Sequence, residues 1–198
     1  TPDNSGYRLG SMLFRLANAA LDQYEITNIA YRHMVVLKNL ISESLLLAIP
    51  AGGDAMIVSK IAGNRPFSPQ IARGTRWTVP TSPTARLILA FSHENTRERI
   101  LSRPETDVDF DPNVLRRTMA LIRTRFYEFD ENPHGSGFSG LVVPIFNYLE
   151  RIEAAITVVM PARTNDPNQE GRYLKPVKET AIEISRVLGS VEMADNMA

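Results

Sequence analysis

Several groups of residues in this sequence have the types that chemistry asks for, and spacing decides what each can do. Gly135-Ser136-Gly137-Phe138-Ser139-Gly140 spells G-x-G-x-x-G. A dinucleotide site needs a strand before that motif and a helix after it, so that the pyrophosphate rests on the helix N-terminus. Here Leu141-Val142-Val143-Pro144-Ile145-Phe146 follows, an apolar run that reads as a strand, so the glycines form a loop entering it. The same residues are no nucleophile elbow, because G-x-S-x-G would need glycine where Leu141 stands. Asp107, Asp109 and Asp111 alternate like the opening of a calcium loop. Pro112, however, occupies the place of the turn glycine and Thr118 that of the bidentate glutamate. His33, His93 and His134 lie in separate segments with no i, i+4 pair to seat a metal. No metal and no cofactor is therefore expected. Asp130, Glu131 and His134 cluster beside the glycines and would be the acid–base groups if this were a small-molecule enzyme. Arg116, Arg117, Arg123 and Arg125 read as a solvated helix face, and His33 as a histidine at the margin of the core.

The charge balance narrows the partners. Lysine plus arginine (22) equals aspartate plus glutamate (22), so no broad positive field gathers phosphates or anionic lipid, and this chain alone should bind DNA poorly. Without cysteine there are no disulfides and no thiolate chemistry, which fits a reducing cytoplasm and also other compartments. No apolar run approaches the roughly 18 residues a membrane span needs. The chain opens Thr-Pro-Asp-Asn-Ser-Gly, with no signal-peptide pattern, and reads as a start inside a longer protein. At 198 residues it is expected to bury one core.

The elements that must position any site follow from periodicity. Leu9, Met12, Leu13, Leu16 and Ala20 recur at helical spacing over 8–23, and Ile26, Ile29, Ala30, Met34, Leu37, Leu40 and Ile41 repeat the pattern. A hairpin is expected from 45–49 and 55–61 around Pro50-Ala51-Gly52-Gly53-Asp54. The prolines at 66, 69, 80 and 83 leave room only for short edge strands around 67–71 and 75–79, with a helix starting near Thr81. Asp111-Pro112 is a helix start, aspartate capping free amides and proline giving up an N–H that had no partner, and that helix runs to about Arg125. Strands over 138–146 and 152–160 come next. A last helix carries Val177, Ala181, Ile184 and Leu188 on one stripe and stops at Gly189, leaving a loose tail. Helices around antiparallel hairpins describe an α+β sandwich with helices on one or both sides of a single sheet.

The ordered series of local motifs resembles one family. Gly6-Tyr7-Arg8-Leu9-Gly10 before a helix is similar to the junction where IclR-type transcription regulators leave their winged-helix module. Ala30-Tyr31-Arg32-His33-Met34, with Leu37 and Glu43, resembles the family's second helix. Gly74 is similar to its glycine loop, and Ser82-Pro83-Thr84-Ala85-Arg86 to its next helix start. Phe126-Tyr127-Glu128-Phe129-Asp130-Glu131, then Gly137 and the strand 141–146, resemble its Gly-Tyr-acidic segment and Ala-x-Pro-Val strand. Ala154-Ala155-Ile156-Thr157-Val158 and Ala181 to Leu188-Gly189 complete the series. Ala85, Phe126 and Leu149-Glu150 depart from the family's glycines.

The resemblance implies a GAF-like α+β domain, a curved antiparallel β-sheet flanked by α-helices with a small-molecule pocket on its concave side. Residues 1–24 would be the linker helix from a winged-helix DNA-binding module, 25–190 the effector-binding domain and 191–198 a flexible tail. The implied protein is a cytoplasmic ligand sensor, not an enzyme. Its partners are a carboxylate or aromatic-acid effector, further copies in a homodimer or homotetramer, and DNA only through the preceding module. The linker helix would carry the signal. Matched position by position, Gly74 and Thr75 offer backbone amides to the effector's carboxylate, Asp130 faces the pocket, and Gly140, Thr157 and Val159 line its floor. Ile57 and Trp77 are candidates for apolar lining. Gly140 and Val159 leave a smooth wall, with room for a ligand larger than a two- or three-carbon acid. Two alternatives stay open: an oligomerisation module with a vestigial pocket, and an enzyme built on Asp130, Glu131 and His134.

Overall fold

The computed structural model describes residues 2–3, 6–7, 12, 25–65, 70–79, 81–102, 111–131, 136–162 and 168–198. The helix expected over 8–23 falls, except for Met12, outside the described residues. Strands β1 (Pro2–Asp3) and β2 (Gly6–Tyr7) form a two-residue ladder. The rest is a six-stranded antiparallel sheet flanked by helices, a GAF-like α+β arrangement as expected. Its strands are β3 (Ser44–Ala51), β4 (Asp54–Ile61), β5 (Arg76–Trp77), β6 (Glu128–Asp130), β7 (Phe138–Phe146) and β8 (Ile152–Pro161), in the order β5-β4-β3-β8-β7-β6. Register shifts at Leu47/Ala48 and Ile145/Phe146 mark bulges, which bend strands and raise their twist, so the sheet curls.

Both faces of the sheet are covered, which is why its central strands read as near-continuous apolar runs. On one side lie α1 (Glu25–Ile41), which buries Ile26, Ala30, Met34 and Leu37, and α5 (Gln169–Val187), which buries Val177, Ala181 and Ile184. These meet Leu45, Leu47, Leu141, Val143, Ile156 and Val158. The other side carries α2 (Pro83–Phe91), α3 (Glu94–Leu101) and α4 (Pro112–Arg125), whose Leu87, Ile88, Leu115, Met119 and Ile122 pack on Leu46, Ala48, Val142 and Ala155. Each large side chain so buried contributes roughly 1.5–3 kcal/mol before entropy is counted. No helix among the described residues is long and apolar enough to cross a membrane.

Local signals read from sequence reappear with their reasons. Asp111 caps α4 by accepting from the Asn113 N–H at 2.8 Å, and Pro112 opens the helix. His33 sits beside Glu183 at 3.4 Å. Arg116, Arg117, Arg123 and Arg125 are exposed, Arg116 pairing with Glu98. Other elements differ from expectation. Around the prolines only β5 forms within the described residues, and a separate helix, α3, follows α2. α5 begins at Gln169 and passes through Pro176, which lacks the N–H for one helical bond. Tertiary bonds hold that early stretch: Gln169 donates to the Pro161 carbonyl at 2.8 Å, and Tyr173 to Glu43 at 2.9 Å.

Two of the three departures from glycine, Phe126 and Glu150, take a positive φ. Phe126 takes a left-handed φ of 59° to end α4, a conformation costing roughly 1–2 kcal/mol outside glycine. Its ring stacks on Phe91 at 5.4 Å and meets Phe146 edge-on at 6.2 Å, contacts a glycine could not make. Glu150, at φ 55°, turns the β7–β8 hairpin.

The expected loose tail is corrected by what Glu150 does. Residues Glu192–Met197 form α6, with Ala194 and Met197 buried. Glu150 accepts from the Ser190 hydroxyl (2.6 Å) and from the N–H groups of Val191 (2.9 Å), Glu192 (3.3 Å) and Met193 (3.1 Å). Its carboxylate thus serves the first turn of α6 from another segment, where partial positive charge and free amides collect. Those bonds, that from Ser190 foremost, hold its carboxyl down at about 2, against an ordinary 4.5. A depressed folded value means this contribution is complete above about 4.5 and fades as pH falls toward 2. We expect Glu150→Gln to raise amide exchange across 192–197 at neutral pH while β7 and β8 stay protected; unchanged exchange there would show that the cap does not hold the helix.

Candidate ligand-binding site

A cavity of about 420 Å³ opens on the α2 side of the sheet. Its floor comes from β7 and β8, where Gly140 and Val159 are register partners and Thr157 lies two residues along the same face. Its back wall is the beginning of α2. Ser82 caps that helix, its hydroxyl accepting from the Ala85 N–H at 3.4 Å, and Pro83 occupies the first helical position. Ser82, Pro83 and Thr84 all line the cavity, so the positive end of the helix dipole borders it. Thr84 and Thr157, both buried, share a hydrogen bond of 2.8 Å between their hydroxyls. That bond uses one of the pair's two hydroxyl protons.

The outer wall is Trp77 on β5, with Gln70 and Ile71 before it and Ser136 and Phe138 opposite. β5 is only two residues long and is held by more than its ladder. Arg76 donates to buried Asp54 at 2.9 Å and to the Ala51 carbonyl at 3.1 Å. The Ile57 carbonyl accepts from the Gly74 N–H at 2.7 Å, and the Ile57 N–H donates to the Thr75 carbonyl at 2.9 Å. Among the described residues lining the cavity, none is charged.

Of the residues singled out from sequence, Trp77, Gly140, Thr157 and Val159 come together here. Gly74, Thr75, Asp130 and Ile57 do not line the cavity. The Gly74 N–H is engaged by Ile57 and the Thr75 N–H by the Ala72 carbonyl at 3.2 Å, so neither amide is open to a carboxylate in this structure. Ile57 is fully buried in the core under α2, enclosed by its neighbours there. Sequence reasoning passed over Ser82 and Thr84, although both stood in the motif quoted for the helix start. Hydroxyls ahead of a helix signal a cap, and only the fold shows the capped end facing a hollow. Ser136 and Phe138 stood in the glycine motif that read only as a loop entering a strand, and Gln70, Ile71 and Thr81 carried no pattern that would mark them as lining.

Asp130 is held elsewhere, in a charge cluster behind the cavity. The Arg86 guanidinium lies 2.6 Å from Asp130 Oδ2 and 2.6 Å from Glu128 Oε1, and all three side chains are largely buried. Glu128 Oε2 is buried with no hydrogen-bond partner. Burial drives the Glu128 carboxyl up to about 7, against the lowering pull of Arg86. Glu131 is exposed, and His134 lies outside the described residues. The carboxylate that an acid–base constellation around Asp130 would use is committed to Arg86.

Comparison with known proteins bears on this geometry. A family model, "Bacterial transcriptional regulator IclR C-terminal", matches residues 18–186. The HTH-type transcriptional regulator KipR of Bacillus subtilis is 26% identical over 195 residues, covering 94% of this chain and 77% of that protein. The crystal structure of the Thermotoga maritima IclR superposes with a TM-score of 0.80 at 26% identity, covering 95% of this chain and 78% of that one. An IclR homolog from Microbacterium hydrocarbonoxydans, complexed with 4-hydroxybenzoate, superposes with a TM-score of 0.78 at 24% identity, covering 91% and 75%.

Proposed function

This chain belongs to the IclR C-terminal family of bacterial transcriptional regulators, and from that premise we propose that its cavity receives a small aromatic monocarboxylic acid as effector. One observation carries the reading: a hollow of about 420 Å³ whose described lining is uncharged, bounded by a helix N-terminus and a buried hydroxyl pair, with Trp77 and Phe138 at its outer walls. The size falls within the usual range for small-molecule sites. A monoanion there needs no cation, because helix-end amides and hydroxyls bind carboxylates in a site shielded from water. Ile71, Trp77, Phe138 and Val159 supply apolar surface for a ring, and Gly140 leaves space above the floor. The homolog that carries 4-hydroxybenzoate supports the same class of ligand.

Occupancy then acts on the regulator by biasing one arrangement over another, with a coupling of about 1–3 kcal/mol to operator binding. DNA contact is assigned to a part of the regulator other than this uncharged-on-balance domain. The domain also self-associates in this reading, for which the 70% exposed Val36 and 71% exposed Leu40, one turn apart on α1, offer apolar surface.

The chain has a single tryptophan, and it lines the cavity. Addition of 4-hydroxybenzoate is therefore expected to change Trp77 fluorescence saturably, and at about 100 times its dissociation constant to stabilise the fold by about 2.7 kcal/mol without turnover. If a panel of aromatic monoacids gives neither signal, the effector reading is wrong; conversion of any of them would instead establish an enzyme.

A further inference from the structure

The Arg86–Glu128–Asp130 cluster holds two carboxylates and one cation, and its position relates it to the cavity at two points. Arg86 is two residues beyond Thr84 on the helix whose start forms the back wall. Asp130 is the register partner of Gly140, which lies on the floor. Arg86, Glu128 and Asp130 side chains are 15%, 10% and 25% exposed, so their charge is poorly screened. With both acids ionised the cluster carries one excess negative charge beside a cavity whose described lining residues include no cation.

We infer that Glu128 and Asp130, held by Arg86, are specificity-determining residues that act at one remove: they set the charge of the ligand the cavity accepts, and they tie capture of an anion to uptake of a proton by the cluster. The inference rests on the effector reading above. A carboxylate seated at the start of α2 is repelled by the excess charge, and a proton on Glu128 removes it. By linkage, the anion and the proton must then favour each other's binding. A dianion is repelled roughly twice as strongly, and a neutral ligand not at all. Among the described residues the charged groups around Glu128 are few. α2 contributes only Arg86, β6 contributes Asp130, and β7 has no charged residue, while the arginines of α4 are exposed. Burial that brings the Glu128 carboxyl to about 7 puts the proton exchange near neutrality.

The test compares 4-hydroxybenzoate, the neutral 4-hydroxybenzamide and the dianion terephthalate, titrated against the domain at pH 6 and pH 8 by Trp77 fluorescence and calorimetry. Expected is a five- to tenfold weaker affinity for 4-hydroxybenzoate at pH 8 than at pH 6, on the usual scale of such couplings. The amide should show no change and terephthalate should bind least well at pH 8. Glu128→Gln, a permanent mimic of the protonated acid, should bind 4-hydroxybenzoate at both pH values as the unaltered domain does at pH 6. Asp130→Asn should flatten the profile in the same way and covers the case in which the first variant fails to fold. Equal pH dependence for acid and amide, or a slope that survives in both variants, overturns the inference. Absence of 4-hydroxybenzoate binding at either pH defeats the effector reading instead. The cluster is then judged by carbon-detected NMR of the glutamate carboxyls: one resonance titrating near neutrality and lost in Glu128→Gln upholds its proton exchange, and no such resonance overturns it.

Discussion

Arg86→Met is expected to destabilise the domain by about 3 kcal/mol at pH 7.5, because it removes the cation and leaves two facing carboxylates in a largely buried site. Methionine keeps most of the stem's volume, so lost packing adds little. The figure is at the lower end for a broken buried pair, since Asp130 is one-quarter exposed and part of its charge is screened. The sign of the pH dependence distinguishes this cause from simple loss of contacts. Glu128 already has a folded value near 7 against an ordinary 4.5. A raised carboxyl binds its proton more tightly in the folded state, so its stabilisation is complete below about 4.5 and is lost as pH rises through the folded value. Without Arg86 that value climbs further. Urea midpoints of the variant should therefore approach those of the unaltered domain at pH 5.5 and fall away steadily to pH 8. A deficit of the same size at every pH would mean that packing, and not charge, is what Arg86 provides.

Gly140→Leu should lower affinity for an aromatic acid by at least a hundredfold, about 2.7 kcal/mol, while the fold stays nearly as stable. A Cβ at this position comes within 3.4 Å of Pro83 Cγ, a close but tolerable approach. Leucine's remaining carbons have only the cavity to enter, where they take the volume a ring would occupy. The backbone itself presents no obstacle, since Gly140 is not among the glycines with positive φ and sits within a regular ladder. Thermal unfolding with and without 4-hydroxybenzoate reads both effects. If the variant keeps the ligand-induced shift, the ligand is bound somewhere other than on this floor. A loss of several kcal/mol without ligand would instead show that Pro83 cannot yield.

Much of the architecture was legible because it is written in periods. The 3.6-residue stripe of Ile26, Ala30, Met34 and Leu37, the Asp111-Pro112 start and the apolar runs at 138–146 and 152–160 each reflect forces acting within a few residues. The elements that escaped were those whose stability comes from distant partners. β6 is a three-residue segment with two acids that becomes a strand because Arg86 pairs with both of them and β7 supplies a ladder. α6 lies beyond the glycine that ends α5 and folds back because Glu150, some forty residues earlier, accepts its amides.

The candidate site divides along the same line. Positions on regular strands were legible: Gly140, Thr157 and Val159 share a face because strand alternation dictates it, whatever the surroundings. Trp77 also lines the cavity, although its two-residue strand depends on the Asp54–Arg76 bond. Which amides are free and which acid is paired could not be read from the chain, because those depend on what stands opposite. Gly74 lost its donor to Ile57, and Asp130 lost its carboxylate to Arg86. Sequence by itself determined the family, the antiparallel α+β class and which strand residues share a face, since local periodicity and ordered motifs specify backbone and facing. Tertiary structure alone decided the hollow's polarity and the charge behind it, since hydrogen-bond and ionic partners are chosen by proximity in space.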